Sequence, residues 1–416
     1  MEIKSQNPRF KVFFFFAIFL VYFTVFFIED KLAFAPVWDE THFWETSLRF
    51  SKSLIPDLSL LRNYGQLNTP LPFIVFGALE YLFKGGIFAG RFLNFILSFA
   101  ITCTIGFSHT ANKKHVILAV LGLLLFPYYL KYSTLLYTDI IATFFVIYGF
   151  WFYLRSLNIL SSIAFILAIA SRQYMLVFPV SLVAFEIYNA VKPKFSKHSA
   201  KHINTANDNQ YKKQSPILSS RVIMLFIASL SIGGWFLLFG GIAPQSGLNL
   251  SYAPKVQQSL FAVTPASSLY FLACVGLHFV MPELLLFHTR ILFRPWIAIR
   301  KLLTLKNLLL AVALILLFAL FPLSHSHGLL TKMGRLLPND FLQLILYYFF
   351  ALIAAVRFSR RIDIAFWILL VNCGLMMKAY SWDKYVLPLA VVFWYLKSIN
   401  RLDTQTPEQM VLTNKS

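Results

Sequence analysis

Charge is what this sequence has least of. Asp, Glu, Lys and Arg together make up 13% of its 416 residues, about half the share in a soluble globular chain. A soluble enzyme is thereby excluded. Acidic residues are the scarcer sign, 17 against 37 basic ones, for a formal net charge of +20. In a soluble domain that excess would point to nucleic acid. Here the basic residues sit mostly in loops between apolar runs, where they orient a chain in a membrane. No nucleic-acid partner is expected. Cysteine is nearly absent. Cys103, Cys274 and Cys373 all lie inside apolar runs, which excludes a disulfide framework and shows no metal-ligand spacing. The first apolar run lacks a small-residue cleavage site and is expected to remain as a span. What fills the gap is apolar: 58% hydrophobic residues, 45 phenylalanines and a mean hydropathy of +0.68. The chain reads as an all-α polytopic membrane protein.

The alternation of basic and apolar segments predicts a topology. Arg9 and Lys11 precede Val12–Ile28, about 25 Å of helix and close to the minimum for a span. That flank places the N-terminus inside. Leu71–Phe83 is short and opens with Pro70 and Pro72. Runs of that length lie in the interface or re-enter more often than they cross. With that run not crossing, about twelve transmembrane helices are expected, near residues 12–28, 89–109, 116–133, 138–154, 158–171, 174–190, 222–241, 259–281, 308–323, 341–356, 362–379 and 384–396. Most lysines and arginines then fall inside. If 71–83 crossed, the strongly basic 191–221 loop would face out, against the positive-inside rule. The expected architecture is a single transmembrane domain over residues 1–401 with both termini inside. A long outer loop at 29–88 carries interfacial helices at Trp38–Lys52 and Pro70–Phe83. A basic inner loop spans 191–221, a second basic inner segment runs from Arg290 to Lys306, and a polar tail covers 402–416.

An outer loop of that length is unusual for a plain connector, and it contains an acidic pair. Pro36-Val37-Trp38-Asp39-Glu40-Thr41-His42 sets two carboxylates just past the first span. The plain reading is a helix start, since acidic residues suit the first turn. Against it, carboxylates near a bilayer are costly unless solvated or used, and one of them can act as a general base toward a hydroxyl. Tyr137-Thr138-Asp139 brings a third carboxylate to the same side, although Thr138 or Asp139 can equally cap the helix that follows. Ala170-Ser171-Arg172-Gln173-Tyr174 makes a tight outer turn. Arg172 there either snorkels to headgroups or holds an anion in its fork. Arg335, in the outer segment with His325 and His327, and Lys378 and Lys384, flanking the last outer turn, are further outer cations. Solvation or snorkelling is their plain reading, and two histidines alone are a weak metal signal.

Taken in order, these motifs resemble a known family. Trp38-Asp39-Glu40, Asn68-Thr69-Pro70-Leu71-Pro72, Gly90-Arg91-Phe92-Leu93-Asn94, Phe126-Pro127 followed by Tyr137-Thr138-Asp139, and Arg172-Gln173 are similar to the dolichyl-phosphate-glucose α-1,2-glucosyltransferases. Those enzymes add the last glucose to the lipid-linked oligosaccharide precursor and belong to the GT-C glycosyltransferases. Lys384-Tyr385-Val386-Leu387-Pro388 resembles the family's Arg-Tyr-Phe-x-x-Pro run. The likeness is clearest over residues 36–190 and weak between 222 and 380. The sequence also departs from the pattern. His42 stands one place early, Tyr174-Met175 replace Thr-Asn, and Pro244–Gln258 lacks the family's acidic, histidine-containing outer segment. These departures bear on the acceptor more than on the reaction class.

The resemblance implies a GT-C-like fold and an inverting membrane hexosyltransferase. Its donor would be a sugar, glucose by the family pattern, on polyprenyl or dolichyl phosphate. Its acceptor would be a glycan or lipid-linked oligosaccharide. The site would face the periplasm or lumen, in a bacterial inner membrane or the endoplasmic reticulum, in contact with membrane lipid. Asp39 is the expected general base, with Glu40 and Asp139 as the other catalytic carboxylates. Arg172 is the first choice for the donor phosphate, whose growing charge needs cations, followed by Arg335, Lys378 and Lys384. A divalent cation held by Asp39, Glu40 and Asp139 stays open as an alternative. So do two other classes. A transporter or lipid flippase would suit twelve spans, but charges deep in the spans are few, Glu186 being the main one, and no internal repeat is visible. A non-catalytic GT-C-like subunit of glycan assembly would share the fold.

Overall fold

The computed structural model describes residues 8–108, 113–196, 219–250, 253, 255–259, 261–287, 303–323 and 326–402. Most of the expected inner loop 191–221, residues 290–302 of the second basic segment, His325 and nearly all of the expected tail lie outside the described residues. Within them the chain is helical, with no strand and one isolated bridge between His327 and Trp382.

Helical residues occur in each of the twelve expected segments, although 116–133 is split into two helices and 259–281 becomes helical only at Pro265, and the helices are unequal as spans. Six are long and apolar enough to cross a membrane: Arg9–Ile28, Ile87–Gly106, Gln173–Val191, Ser220–Phe239, Pro265–Phe287 and Asp340–Ser359. A seventh arises if Lys113–Leu124 and Pro127–Ser133, bent by 72° at their junction, form one span. Pro127 explains the break: it starts the second helix at its first position, where a missing N–H costs nothing, and it could not continue the first. Thr138–Leu154, Asn158–Ser171, Leu305–Leu320, Ile364–Met376 and Leu387–Ser398 are shorter. Among the described residues, length and composition therefore support six candidate spans, or seven with the bent pair, and the expected count of about twelve is not confirmed.

The C-terminal helix is the centre of the packing. Every residue of Leu387–Ser398 is buried, as expected of a helix that is apolar all round. It packs on Lys113–Leu124 and Thr138–Leu154. The outer faces are the reverse. Phe13, Phe16 and Leu20 on the first helix, and Leu308, Leu309 and Leu316 on Leu305–Leu320, are exposed. A soluble monomer rarely leaves such faces uncovered; lipid covers them in a membrane protein.

The span expected to end at residue 281 runs on to Phe287, and so takes in Glu283. That carboxylate is fully buried. Arg357 reaches it through two nitrogens, each at 2.8 Å, and Lys397 Nζ at 2.7 Å. Removing one partner from such a cluster leaves an uncompensated buried charge. Glu186, the charge expected to stand out, is engaged by Tyr153 Oη at 2.6 Å and Arg221 at 3.1 Å.

The 29–88 loop, expected on the outer side, carries its two helices close to the expected positions, at Glu40–Phe50 and Leu71–Phe83. They pack on each other, and Leu71–Phe83 also packs on Ile87–Gly106. Their inward residues, among them Phe43, Phe50, Phe73 and Phe76, belong to the main core. The loop is thus part of the folded body, and it carries Asp39 and Glu40 at a fixed place.

Candidate active site

The site is built on a buried ion pair. Arg91, on the Ile87–Gly106 helix, reaches Glu40 through Nε at 2.7 Å and a terminal nitrogen at 2.6 Å, and both side chains are fully buried. Its other terminal nitrogen donates to the carbonyls of Leu32 at 2.9 Å and Phe34 at 2.5 Å. Glu40 also accepts the backbone N–H of Leu136 at 2.7 Å and of Val37 at 3.1 Å. One carboxylate thereby joins the outer loop, a long helix and the 135–137 turn. Gly90 lies under that turn, where a Cβ would run into the Leu136 side chain. Asn94 Nδ2 donates to the carbonyls of Leu135 at 2.7 Å and Tyr137 at 2.8 Å. The Gly90-Arg91-x-x-Asn94 spacing therefore has a physical reading. On successive turns of one helix it supplies a close approach, a countercharge and a latch.

Asp39 is adjacent to Glu40 and behaves differently. It stands at the N-cap of Glu40–Phe50, yet its side chain makes no capping bond. Its Oδ2 accepts from Lys384 Nζ at 3.0 Å instead. The lysine side chain is 5% exposed and the aspartate 39%, so the amine is enclosed while the carboxylate remains open. Lys384 Nζ also lies 3.6 Å from the Trp382 ring centroid and 5.7 Å from that of Tyr137.

Asp139 and Arg172 form a second pair close enough for Lys384 to feel both charges. Both are buried, with one terminal nitrogen of Arg172 donating to Asp139 Oδ2. Tyr174 Oη donates to Asp139 Oδ1 at 3.1 Å. No side chain caps Thr138–Leu154, so Asp139 serves the ion pair and not the helix start. Burial opposes the charge on Arg172, but Asp139 outweighs it and holds the guanidinium pKa above its usual value. Arg172 Nε is buried without a hydrogen-bond partner. An unmet buried donor costs about 1–3 kcal/mol, and an anion at this nitrogen would remove that cost. Aromatic rings wall the cluster. Tyr137 stacks on Tyr132 with centroids 4.4 Å apart, and Tyr385 meets Tyr174 edge-on at 5.5 Å. Burial raises the Tyr137 pKa, and Asp39 and Asp139 add to the effect, so its hydroxyl keeps its proton and remains a donor.

The structure thus brings Asp39, Asp139, Arg172 and Lys384 together. Glu40 lies behind them, closed off by Arg91 and two backbone amides. Arg335 is exposed in the last turn of the Leu329–Arg335 helix. Lys378 Nζ donates to the carbonyls of Ser259 at 2.6 Å and Val256 at 3.4 Å, which ties the segment before Pro265 to the end of Ile364–Met376. The carboxylates do not fit a divalent cation, because each already faces a lysine or arginine at ion-pair distance. Among the described residues no group of three or more His, Cys, Asp or Glu side chains converges. His327 packs on Tyr380, ring centroids 4.9 Å apart.

Two residues that sequence reasoning passed over support the lysine. Asp383 is fully buried. Its Oδ2 accepts the backbone N–H of Leu329 at 2.6 Å and of Leu330 at 3.4 Å, and it lies 3.3 Å from His278 Nε2. Gly328 makes this approach feasible: its φ is +113° and a Cβ there would collide with the Asp383 carboxylate. His278 lies in a π-helical turn, Gly276–Val280, a local widening frequent at functional sites. The turn carrying Lys384 is therefore held from both sides. The only sequence signal was that Asp383 adjoins a candidate cation.

Residues 79–329, more than half of the chain, match the model of the DIE2/ALG10 family. The matched stretch contains Arg91, Asp139 and Arg172; Asp39 lies before it and Lys384 after it. It also takes in residues 222–329, where the motif resemblance was weak. No curated protein and no solved structure matches the chain.

Proposed function

The chain belongs to the DIE2/ALG10 family, the dolichyl-phosphate-glucose α-1,2-glucosyltransferases, and from that premise we propose that it transfers a hexose, glucose by the family pattern, from a polyprenyl-phosphate donor to a glycan or lipid-linked oligosaccharide. A multi-pass membrane glycosyltransferase of this kind works where helices meet the outer loop, because its donor holds the sugar at the membrane surface. One observation carries the reading. Two carboxylates and two cations converge there, and Asp39 is the carboxylate left open.

The chemistry follows from these groups. The acceptor hydroxyl gives its proton to Asp39 as its oxygen attacks the anomeric carbon. The bond from that carbon to the phosphate oxygen breaks, and the electron pair leaves with the lipid phosphate. A single displacement inverts the anomeric centre. Charge grows on the phosphate as Asp39 becomes neutral. Lys384, until then paired with Asp39, is then free to meet the phosphate together with Arg172 Nε, in a walled site where such charges are strongly felt. Glu40 and Arg91 take no part in the proton transfer and set the position of Asp39. The same arrangement faces the periplasmic or lumenal side in this proposal.

The test is radiolabel transfer from defined polyprenyl-phosphate sugars in membranes containing the wild-type protein or Asp39→Asn. Transfer by the wild type and its loss in the variant is the expected result. Wild-type membranes that transfer no hexose from any such donor would overturn the proposal.

A further inference from the structure

The residue before Asp39 is held in an unusual state. Trp38 has φ +53°, a left-handed conformation that bulky side chains rarely adopt. Burial does not explain it, since the side chain is 62% exposed. The ring is nonetheless fixed. Lys131 Nζ lies 3.8 Å from its centroid, close enough for a cation–π attraction that occupies one face. Lys131 is on the Pro127–Ser133 helix beyond the 72° bend, with Glu29 and Lys332 within electrostatic reach. A strained backbone, an exposed aromatic and a lysine that pins it thus coincide at one residue. Strain of this type persists mainly at ligand clamps and active sites.

The position says what the free face meets. Trp38 directly precedes Asp39, and consecutive Cα atoms are about 3.8 Å apart, less than the width of a hexose, so the two side chains leave the chain at points that one sugar can bridge. The Asp39 carboxylate is open. Sugar rings have an apolar C–H face that stacks on indole and a rim of hydroxyls that needs polar partners, and the open Asp39 carboxylate, one residue on, is such a partner. Tryptophans that anchor proteins at the membrane interface rest against headgroups and acyl chains. Trp38 instead has one face held by Lys131 and directly precedes the Asp39 that pairs with Lys384.

We propose that Trp38, pinned by Lys131, is the platform for the acceptor's terminal hexose, holding that ring while its hydroxyl is presented to Asp39. The proposal rests on the glycosyltransferase reading and names the acceptor subsite within it.

Two measurements on the full-length protein in detergent test it. In transfer assays that vary each substrate with the other saturating, Trp38→Leu is expected to raise the acceptor KM about tenfold, the worth of one aromatic contact, with the donor KM unchanged. Trp38→Tyr should recover most of the loss, and Lys131→Gln should raise the acceptor KM by less than Trp38→Leu does. An unchanged acceptor KM in Trp38→Leu, or a change confined to the donor KM, overturns the platform. The second measurement needs no turnover. Maltotriose, a neutral glucose oligomer, should change the tryptophan fluorescence of the wild type more than that of Trp38→Phe. If the wild type transfers no hexose, the glycosyltransferase reading fails by itself, and the maltotriose comparison decides whether Trp38 binds sugar. Equal responses in the two proteins then overturn the platform.

Discussion

Lys384 Nζ lies 3.0 Å from Asp39 Oδ2 and joins positions 345 residues apart. The bond closes the 29–88 loop onto the turn before the Leu387–Ser398 helix. Its asymmetry matters more than its length. The buried ammonium has little water to replace the carboxylate, whereas the half-open carboxylate has solvent or a ligand within reach. A carboxylate that makes no capping bond, pairs with an enclosed lysine and stays open to a ligand is placed for chemistry and not as a helix cap.

Asp39→Asn keeps the size of the side chain and removes the proton acceptor. Protein level and membrane insertion should be normal while transfer falls ~10²–10⁴-fold, the usual worth of general acid–base catalysis. A helix cap would cost only about 1 kcal/mol of local stability and leave turnover intact. Near-normal turnover in this variant would remove Asp39 as the base.

Arg172 is best probed with lysine. Arg172→Ala strands Asp139 in a buried setting, at roughly 3–5 kcal/mol, and mixes folding with function. Arg172→Lys keeps a charge for Asp139 but lacks the Nε donor and the planar fork. Normal expression with weakened donor use is the expected outcome, read as a raised donor KM and a lowered kcat. Donor kinetics equal to wild type would show that the unpartnered Nε has no phosphate to meet.

Glu40→Gln should act on the fold. It leaves Arg91 as a fully buried, uncompensated charge, with an expected loss of about 3–5 kcal/mol. Thermal unfolding in detergent should come at clearly lower temperature, and protein level should fall. A variant that is as stable as wild type yet inactive would move Glu40 into the chemistry.

Asp383→Asn should loosen the Leu329–Arg335 helix, since a neutral amide replaces the charged acceptor of the Leu329 and Leu330 amides. Faster hydrogen exchange at those two amides is the expected signature, with a smaller loss of transfer than in Asp39→Asn. Unchanged exchange would mean that Asp383 does not secure this segment.

The Leu71–Phe83 helix should lie along the outer surface without crossing. Lys113→Cys in an otherwise cysteine-free protein should then be labelled by impermeant reagents only from the inside. Labelling from the outside would reverse every later loop.

What the sequence made legible was local, and what it hid was long-range. Hydrophobic runs predict helices because their pattern is read within each run, and helical residues occur in each expected segment. Span count is harder, since a 12-residue helix such as Leu387–Ser398 is apolar because it is enclosed by protein, and composition does not distinguish protein from lipid. Asp39 and Glu40 are chemically near-equivalent neighbours in sequence. Their fates diverge because Arg91, 51 positions away, takes one and Lys384 takes the other. Lys378 and Lys384 likewise read as equals until burial separates them. Asp139 and Arg172 were each visible as candidates, but their pairing depends on how two helices meet.

The Glu283 cluster has a consequence for how the protein is made. Its carboxylate precedes Arg357 by 74 residues and Lys397 by 114. At ~5–20 residues per second of synthesis, the arginine emerges roughly 4–15 s after the glutamate and the lysine roughly 6–23 s after it. For that interval the helix carrying Glu283 is without the two cations that hold it in the finished molecule. The C-terminal half is therefore assembled in one direction and locked in the other, and the lock closes only when the Leu387–Ser398 helix has left the ribosome.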